Sequence, residues 1–288
     1  MKRKNSLNCL ACPSLMKTIG EFERKFNPIG SNDSIHFNWP IKHCSRCGLI
    51  RIDGDFQIFE KYHYALATYR DPSLDETWRV QRKNYFHWLI NCIEKINIPN
   101  KSIIDFGCSY GHMLQLMRDR GWRIGGVEID KRLLEVLEQR FPESKISNDL
   151  KHIPEIGSWG ICTMIDSLYY VKDPLKTLIE VKNVLAPGGY IFIRVTNRNW
   201  LLRLMAYFKK KLNMSLISSA LTHFSKKSLY NLILKAGFTD MSWIYREKGR
   251  TYCNLKTWTA YNILPLTSLM TKGYINFSPG LVLYAKKK

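Results

Sequence analysis

The sequence contains no apolar run long enough to cross a membrane. Its longest apolar stretches, such as Leu212–Leu221, are short and broken by polar residues, whereas a spanning helix needs about 20 consecutive apolar residues. The opening Met1-Lys2-Arg3-Lys4-Asn5 is followed by no apolar h-region, so a secretory signal is not expected and the cytoplasm is the expected location. Acid is also scarce. Asp and Glu number 24 against 44 Lys and Arg, and residues 251–288 contain none. No internal repeat is present, and wholesale disorder is excluded because 45% of the 288 residues are apolar and 12% are aromatic, enough to build a core.

The net charge of +20 is unevenly placed. Residues 101–197 are almost balanced, with 13 basic and 12 acidic groups, while residues 198–288 hold 16 basic against 2 acidic. A field so lopsided attracts anions such as phosphates, nucleic acid or an acidic membrane face.

Eight cysteines occur, four of them in two Cys-x-x-Cys pairs, Cys9/Cys12 and Cys44/Cys47. Paired thiols in a reducing compartment read as metal ligands rather than disulfides. Each pair turns tightly enough to aim two sulfurs at one ion, and Gly48 supplies the positive φ such a knuckle uses. Between the pairs, Ile35–Trp39 alternates as a short strand does. Residues 1–55 are therefore expected to form a zinc ribbon with Cys9, Cys12, Cys44 and Cys47 as ligands. Residues 56–100 are an aromatic-rich linker ending in a helix over Trp78–Ile98, stopped by Pro99-Asn100.

From Lys101 onward strands and helices alternate: strands over Ser102–Phe106, Trp122–Glu128, Lys145–Asn148, Trp159–Ile165 and Tyr190–Val195, with helices between them. A further helix over Ser228–Ala236 and strand-like segments over Met241–Tyr245 and Gly280–Ala285 follow. This pattern predicts a parallel sheet covered by helices on both faces.

In such sheets ligands collect at the carboxyl ends of the strands, near the point where strand order reverses. The first strand delivers Asp105-Phe106-Gly107-Cys108-Ser109-Tyr110-Gly111, and the second ends in Glu128, an acid placed to accept the hydroxyls of a ribose. The turn is not the G-x-G-x-x-G of a dinucleotide site, and Asp105 would repel a phosphate but suit an ammonium. A ligand with a ribose and a cationic amino-acid end points to S-adenosylmethionine.

Residues 101–197 resemble the class I S-adenosylmethionine-dependent methyltransferases. Asp105–Gly111 is similar to their D-x-G-C-G-x-G motif, with Ser109 in place of the middle glycine. Glu128 is similar to their second-motif acid, and Asn148-Asp149-Leu150 to the segment whose carboxylate meets the adenine amino group. Asp166-Ser167-Leu168-Tyr169-Tyr170-Val171-Lys172-Asp173-Pro174 resembles their D-x-L-E-H-x-x-D-P motif, with the Glu-His pair replaced by two tyrosines. Leu185-Ala186-Pro187-Gly188-Gly189 resembles their L-K-P-G-G turn. His223-Phe224-Ser225 through Leu229, with Ala236-Gly237-Phe238, resembles a segment of a bacterial subgroup that often carries an N-terminal zinc ribbon, as several sugar methyltransferases do.

The resemblance implies an α/β, Rossmann-like, doubly wound and mostly parallel seven-stranded sheet over residues 101–288, with a basic lid at 198–224. It implies cofactor contacts from Asp105, Gly107, Cys108, Gly111, Glu128, Asp149 and Asp166. His223 is the candidate base, since an imidazole ordinarily titrates near neutrality, and Tyr169 and Tyr170 are candidates to steady the sulfonium or hold the acceptor. The basic lid suggests a small, phosphate-bearing acceptor such as a nucleotide sugar, glycan or lipid-linked intermediate. Its Trp, Leu, Phe and Lys mixture allows peripheral contact with an anionic membrane. Two other readings stand beside it: an RNA methyltransferase using the ribbon and basic surface, and a non-catalytic zinc-ribbon module on a degenerate methyltransferase fold.

Overall fold

The computed structural model describes residues 7–28, 32–66, 72–153, 156–197, 220–248, 255–271 and 276–288. Most of the expected basic lid, 198–219, lies outside the described residues.

In chain order the elements are β1 (Lys17–Phe26), β2 (Ile35–His43), β3 (Ile50–Ile52), α1 (Phe56–Leu66) and α2 (Asp75–Ile93). They continue as β4 (Ser102–Phe106), α3 (His112–Arg118), β5 (Arg123–Val127), α4 (Lys131–Arg140), β6 (Lys145–Ser147) and β7 (Trp159–Ile165). Next come α5 (Pro174–Val184), β8 (Leu185–Thr196), β9 (Thr222–His223), α6 (Lys226–Lys235) and β10 (Phe238–Ile244). The chain finishes with α7 (Leu255–Asn262), α8 (Leu264–Met270) and β11 (Gly280–Lys287). The chain divides into two compact units. One comprises 1–68, 169–175 and 196–235, the other 69–168, 176–195 and 236–288.

The first unit is built on an antiparallel sheet in the order β1-β2-β3-β9. β1 turns Phe22 and Phe26 inward and Glu21, Glu23 and Lys25 outward, the alternation of a sheet with one wet face. Those phenylalanines pack with Phe37, Ile41, Ile50 and Phe59 into a closed apolar core. The last strand, β9, brings Thr222 and His223 beside Arg51 and Ile50, 171 and 173 residues away in sequence.

The second unit carries a seven-stranded sheet in the order β10-β11-β8-β7-β4-β5-β6. β4, β5, β6, β7 and β8 run parallel to their neighbours in that series, and β10 and β11 pair antiparallel. Every residue of β7 is buried, as expected of a strand covered on both faces. The chain leaves β4 for β5 and β6, then returns to β7 on the other side of β4, so order reverses between β4 and β7. This is the Rossmann-like architecture the sequence pattern implies.

Several boundaries shift from the sequence expectation, two of them for a plain reason. α2 starts at Asp75, where Asp75 and Glu76 complement the helix N-terminus, and stops at Ile93 with Glu94 closing its last turn onto the Ile90 carbonyl. β8 begins at Leu185 rather than Tyr190, because the Pro187-Gly188-Gly189 stretch forms an irregularity within the strand. Leu185 pairs with Trp159, and Tyr190 with Ile161.

Candidate active site and metal centre

At the carboxyl end of β4 the backbone passes through three left-handed residues, Gly107 (φ 79), Ser109 (φ 54) and Gly111 (φ 74). The glycines are also required by space. A Cβ on Gly107 would stand 2.8 Å from the Ser167 Cβ, and one on Gly111 would meet Phe141 and Leu137 at 2.6 and 2.7 Å, closer than atoms pack. The turn is thus pressed against the segment after β7 on one side and α4 on the other.

Glu128 closes β5 and is buried. Its Oε2 accepts the Ser109 amide at 2.9 Å and its Oε1 accepts the Asp130 amide at 2.9 Å. Asp130 in turn caps α4 by accepting the Arg132 amide at 3.0 Å. Asp105 accepts a hydrogen bond from Thr163 Oγ1 at 2.7 Å. Burial pushes its carboxyl up to about 6, against the pull of the Thr163 hydroxyl and with the aid of nearby Glu128. Cys108 points its sulfur toward β5, into the space left by Gly126, where a Cβ would lie 2.8 Å from the sulfur. Burial raises this thiol well above its ordinary value, so the residue packs and stays protonated. Asp149 caps a short turn over Leu150–His152 by accepting the Lys151 amide at 3.0 Å.

Asp166 follows β7 in a left-handed conformation (φ 61), uncommon for a residue with a Cβ. Its carboxylate is paired with Arg194 of β8. The same guanidinium donates to Glu247 through Nε at 3.2 Å and Nη2 at 3.3 Å, and to the Tyr261 hydroxyl at 3.4 Å. Gly280 makes room for this pair, since a Cβ there would collide with the Glu247 carboxylate at 2.1 Å. Beside Asp166, the Ser167 Oγ is buried and has no hydrogen-bond partner among the described residues. A buried hydroxyl left open beside the glycine turn is a place for a ligand's polar atom.

A second network braces the turn from the N-terminal side. Asp75, in the first turn of α2, accepts from His112 Nε2 at 2.6 Å and pairs with Arg140. Arg140 Nη1 donates to the Tyr110 carbonyl at 2.7 Å, and the Tyr110 ring stacks on His112 with centroids 5.5 Å apart. Burial tends to raise Asp75, but hydrogen bonds from Arg140 and His112 outweigh it and hold the carboxyl below its usual range. Burial lowers His112, and Asp75 offsets only part of that.

In the other unit, Cys9, Cys12, Cys44 and Cys47 are all buried, and their sulfurs lie within 4.8 Å of one another. Cys9 and Cys47 approach to 3.4 Å, as do Cys12 and Cys44. Gly48 turns at φ 79 and donates its amide to the Cys44 carbonyl at 2.8 Å. Four thiols so gathered fit a tetrahedral zinc ion, whose sulfurs stand about 3.8 Å apart for bonds of about 2.3 Å.

His223 is buried on β9 of this unit. Tyr169 is buried and its carbonyl accepts the Leu221 amide at 3.0 Å. The Tyr170 ring lies 4.5 Å from that of Tyr169 and 4.2 Å from the His63 ring. The three residues expected to act on the acceptor thus belong to the ribbon-bearing unit, and the expected cofactor residues to the unit with the seven-stranded sheet. Sequence reasoning missed Ser167, Arg194, Glu247, Asp75 and Arg140. Only Ser167 lay inside a motif.

A family model described as a methyltransferase domain matches residues 78–242. Among curated proteins, the chain is 28% identical over 115 residues to the ubiquinone biosynthesis O-methyltransferase of Stutzerimonas stutzeri, covering 37% of this chain and 49% of that protein. The corresponding enzyme of Pseudomonas aeruginosa is 26% identical over 113 residues, covering 37% and 49%. The chain spans about half the length of the curated relatives it matches. Among solved structures, an S-adenosylmethionine-dependent methyltransferase from Thermotoga maritima aligns with a TM-score of 0.50 at 19% identity, over 81% of this chain and 100% of that one. A chain from the complex of the Haloferax volcanii Trm112 methyltransferase activator with a methyltransferase aligns with a TM-score of 0.52 at 14% identity, over 76% and 95%. These structures share the fold.

Proposed function

The chain belongs to the class I S-adenosylmethionine-dependent methyltransferases, and from that premise we propose that it methylates a small acceptor carrying negative charge, such as a nucleotide sugar, a glycan or a lipid-linked intermediate. The observation that carries the cofactor half of this reading is the Glu128 carboxylate, held against the glycine turn by the Ser109 amide. Glu128 is the group to accept ribose hydroxyls, Asp105 the group to hold the ammonium, and Gly107 to Gly111 the backbone that admits the ligand closely. Asp149 is the candidate for the adenine edge, and Asp166 and Ser167 border the turn from the β7 side.

When bound, S-adenosylmethionine would supply an electrophilic methyl group for in-line attack by the acceptor, with the thioether of S-adenosylhomocysteine as the leaving group. What remains for the protein is alignment and exclusion of water. His223 is proposed to take the acceptor's proton if that acceptor is a hydroxyl or an acidic carbon, with Tyr169 and Tyr170 lining its approach. Cys9, Cys12, Cys44 and Cys47 would hold a zinc ion as a structural cross-link. The negative charge of the acceptor is supported by the 16 basic and 2 acidic residues of 198–288, and its small size by the likeness to enzymes of ubiquinone biosynthesis.

The test has two arms. Calorimetry should show S-adenosylmethionine binding to the native chain and at least about a hundredfold weaker binding to Glu128→Ala. Incubation of the native chain with methyl-labelled cofactor and cell extract should place label in the sugar or lipid fraction. Absence of cofactor binding overturns the whole reading, and label confined to RNA overturns the acceptor class.

A further inference from the structure

The sheet of the ribbon-bearing unit carries a polar row on the side opposite its apolar core. Thr18 of β1 pairs with Lys42 of β2, Lys42 with Arg51 of β3, and Arg51 with Thr222 of β9. Residues paired directly across strands share a face and stand about 4.5–5.5 Å apart, so these four side chains lie in one line. Their neighbours along the strands, Ile41, Ile50 and Ile52, belong to the core on the other face.

The row begins in water and ends buried. Thr18 is exposed, whereas Lys42 is 7% and Thr222 1% exposed. Toward the wet end the polar groups are matched: Lys42 Nζ donates to Thr18 Oγ1 at 3.1 Å and lies 3.9 Å from Asp53. At the other end they are not. Arg51 Nη2 donates to the Lys172 carbonyl at 2.5 Å, but Arg51 Nη1 is buried without a hydrogen-bond partner, and so is the Thr222 Oγ1 on the adjoining strand. Burial pulls the Arg51 pKa below its ordinary value, and Asp173 and Asp53 oppose that only in part. Neither forms an ion pair with it among the described residues. Buried charges are ordinarily paired and buried hydroxyls ordinarily bonded, since each donor left open in a dry place costs stability. Two such donors on adjacent strands suit one group that accepts from both. An oxyanion does so, and it also supplies the negative charge that Arg51 lacks. The place is within reach of solvent, because the Arg51–Lys172 bond is exposed, as are Lys172 and Asp173. It also adjoins the tyrosines proposed to line the acceptor's approach: the Tyr169 carbonyl accepts the amide of Leu221, the residue before Thr222.

We propose that Arg51 Nη1 and Thr222 Oγ1 form a subsite for a phosphate oxyanion, and that this phosphate belongs to the acceptor. The second half rests on the small, anionic acceptor proposed above, and the first half does not.

Calorimetry of the full chain with inorganic phosphate tests the subsite. The native chain should bind phosphate, Arg51→Gln should bind it about tenfold or more weakly, and Thr222→Val several-fold more weakly. All three should bind S-adenosylmethionine alike. Thr222→Val keeps the shape of the side chain and so carries the test if Arg51→Gln does not fold. Methyl-labelled cofactor with cell extract tests the source of the phosphate. Added inorganic phosphate should depress labelling by the native chain, and Thr222→Val should need several times more extract for half-maximal labelling while reaching the same maximum. Phosphate that binds both variants as it binds the native chain is an adventitious ion only and overturns the subsite, as does a native chain that binds none. Phosphate binding that the variants lose, together with labelling that ignores phosphate, overturns the acceptor half and assigns the site to a free anion. Failure of the native chain to bind S-adenosylmethionine overturns the methyl-transfer reading and the acceptor half with it, but not the subsite.

Discussion

Glu128 receives the backbone N–H of Ser109 at 2.9 Å, so the acid that closes β5 is fastened to the turn that closes β4. One carboxylate oxygen does this while the other accepts the Asp130 amide, and the side chain is set before any ligand arrives. Such preorganisation lowers the cost of ordering a site on binding. It also places a left-handed residue at the site, since Ser109, whose amide Glu128 accepts, sits at φ 54.

Ser109→Gly should therefore stabilise the protein. A residue with a Cβ in the left-handed region is held there at a cost of about 1 kcal/mol, and glycine removes most of it. The amide that Glu128 accepts is retained. The expected outcome is a thermal midpoint higher by about 2–4 °C with unchanged cofactor affinity. A lower midpoint would show that the serine side chain contributes more than its backbone costs.

Asp105 makes the site sensitive to acid. Its folded-state pKa of about 6 lies above the ordinary 3.8, so the folded chain binds this proton more tightly than the unfolded one. The corresponding stability is fully present below about pH 4 and is lost as pH rises toward 6, an effect of about 3 kcal/mol at most. Asp105→Asn keeps an oxygen for Thr163 and removes the buried charge, so at pH 7 it should be the more stable protein by about 1–3 kcal/mol in a denaturant titration. It should also bind S-adenosylmethionine far more weakly if the ionised carboxylate holds the ammonium. In the native chain that affinity should fall by up to about tenfold per pH unit below 6. An affinity flat from pH 5 to 7 would remove Asp105 from that role.

What the sequence made legible follows the range of the interactions. Asp105, Gly107, Gly111 and Glu128 sit at strand ends that hydrophobic alternation predicts, and their spacing reflects a single β-α-β unit. The buried strands β4 and β7 are equally plain as continuous apolar runs. By contrast, Arg194 meets Asp166 and Glu247 across 28 and 53 residues, and Asp75 meets His112 and Arg140 across 37 and 65. No local pattern records such pairings. β1 escaped notice because four of its exposed positions are charged and its Gly20 breaks the alternation, where the register with β2 also shifts. β9 is two residues long and is a strand only because β3 is beside it.

The Asp75 network should act on cofactor binding from outside the cofactor's reach. Asp75→Asn loses the ion pair with Arg140, freeing the guanidinium that holds the Tyr110 carbonyl. Both partners are about a quarter exposed, so the stability loss should be modest, about 1–2 kcal/mol. Because Asp75 is held below its ordinary range, that contribution exists above the unfolded-state pKa and fades as pH falls through the folded one. The native and variant stabilities should therefore converge in acid. Cofactor affinity should drop by about tenfold in the variant at neutral pH, and an unchanged affinity would confine Asp75 to a structural role.

The cysteine cluster carries the last prediction. Its four sulfurs are buried and converge, and like thiolates held this close repel unless a cation joins them. The purified native chain should contain one zinc per molecule by elemental analysis, and Cys44→Ser should contain much less. The consequence should spread beyond the knuckles, because the Cys44 amide donates to the Leu49 carbonyl at 2.8 Å at the end of the β2–β3 connection. Ser225, just ahead of α6, donates its hydroxyl to the Cys47 carbonyl at 2.5 Å, and Lys235 at the end of α6 reaches the Leu10 carbonyl at 3.2 Å. Losing the metal should therefore loosen α6 and the β9 strand together with the ribbon. Limited proteolysis with and without a zinc chelator measures this: cleavage between residues 7 and 52 and near 220–235 should rise together, while 102–147 stays protected. A native chain without zinc, or one whose cleavage pattern ignores the chelator, would mean that apolar packing around Phe22 and Phe37 suffices to hold this unit.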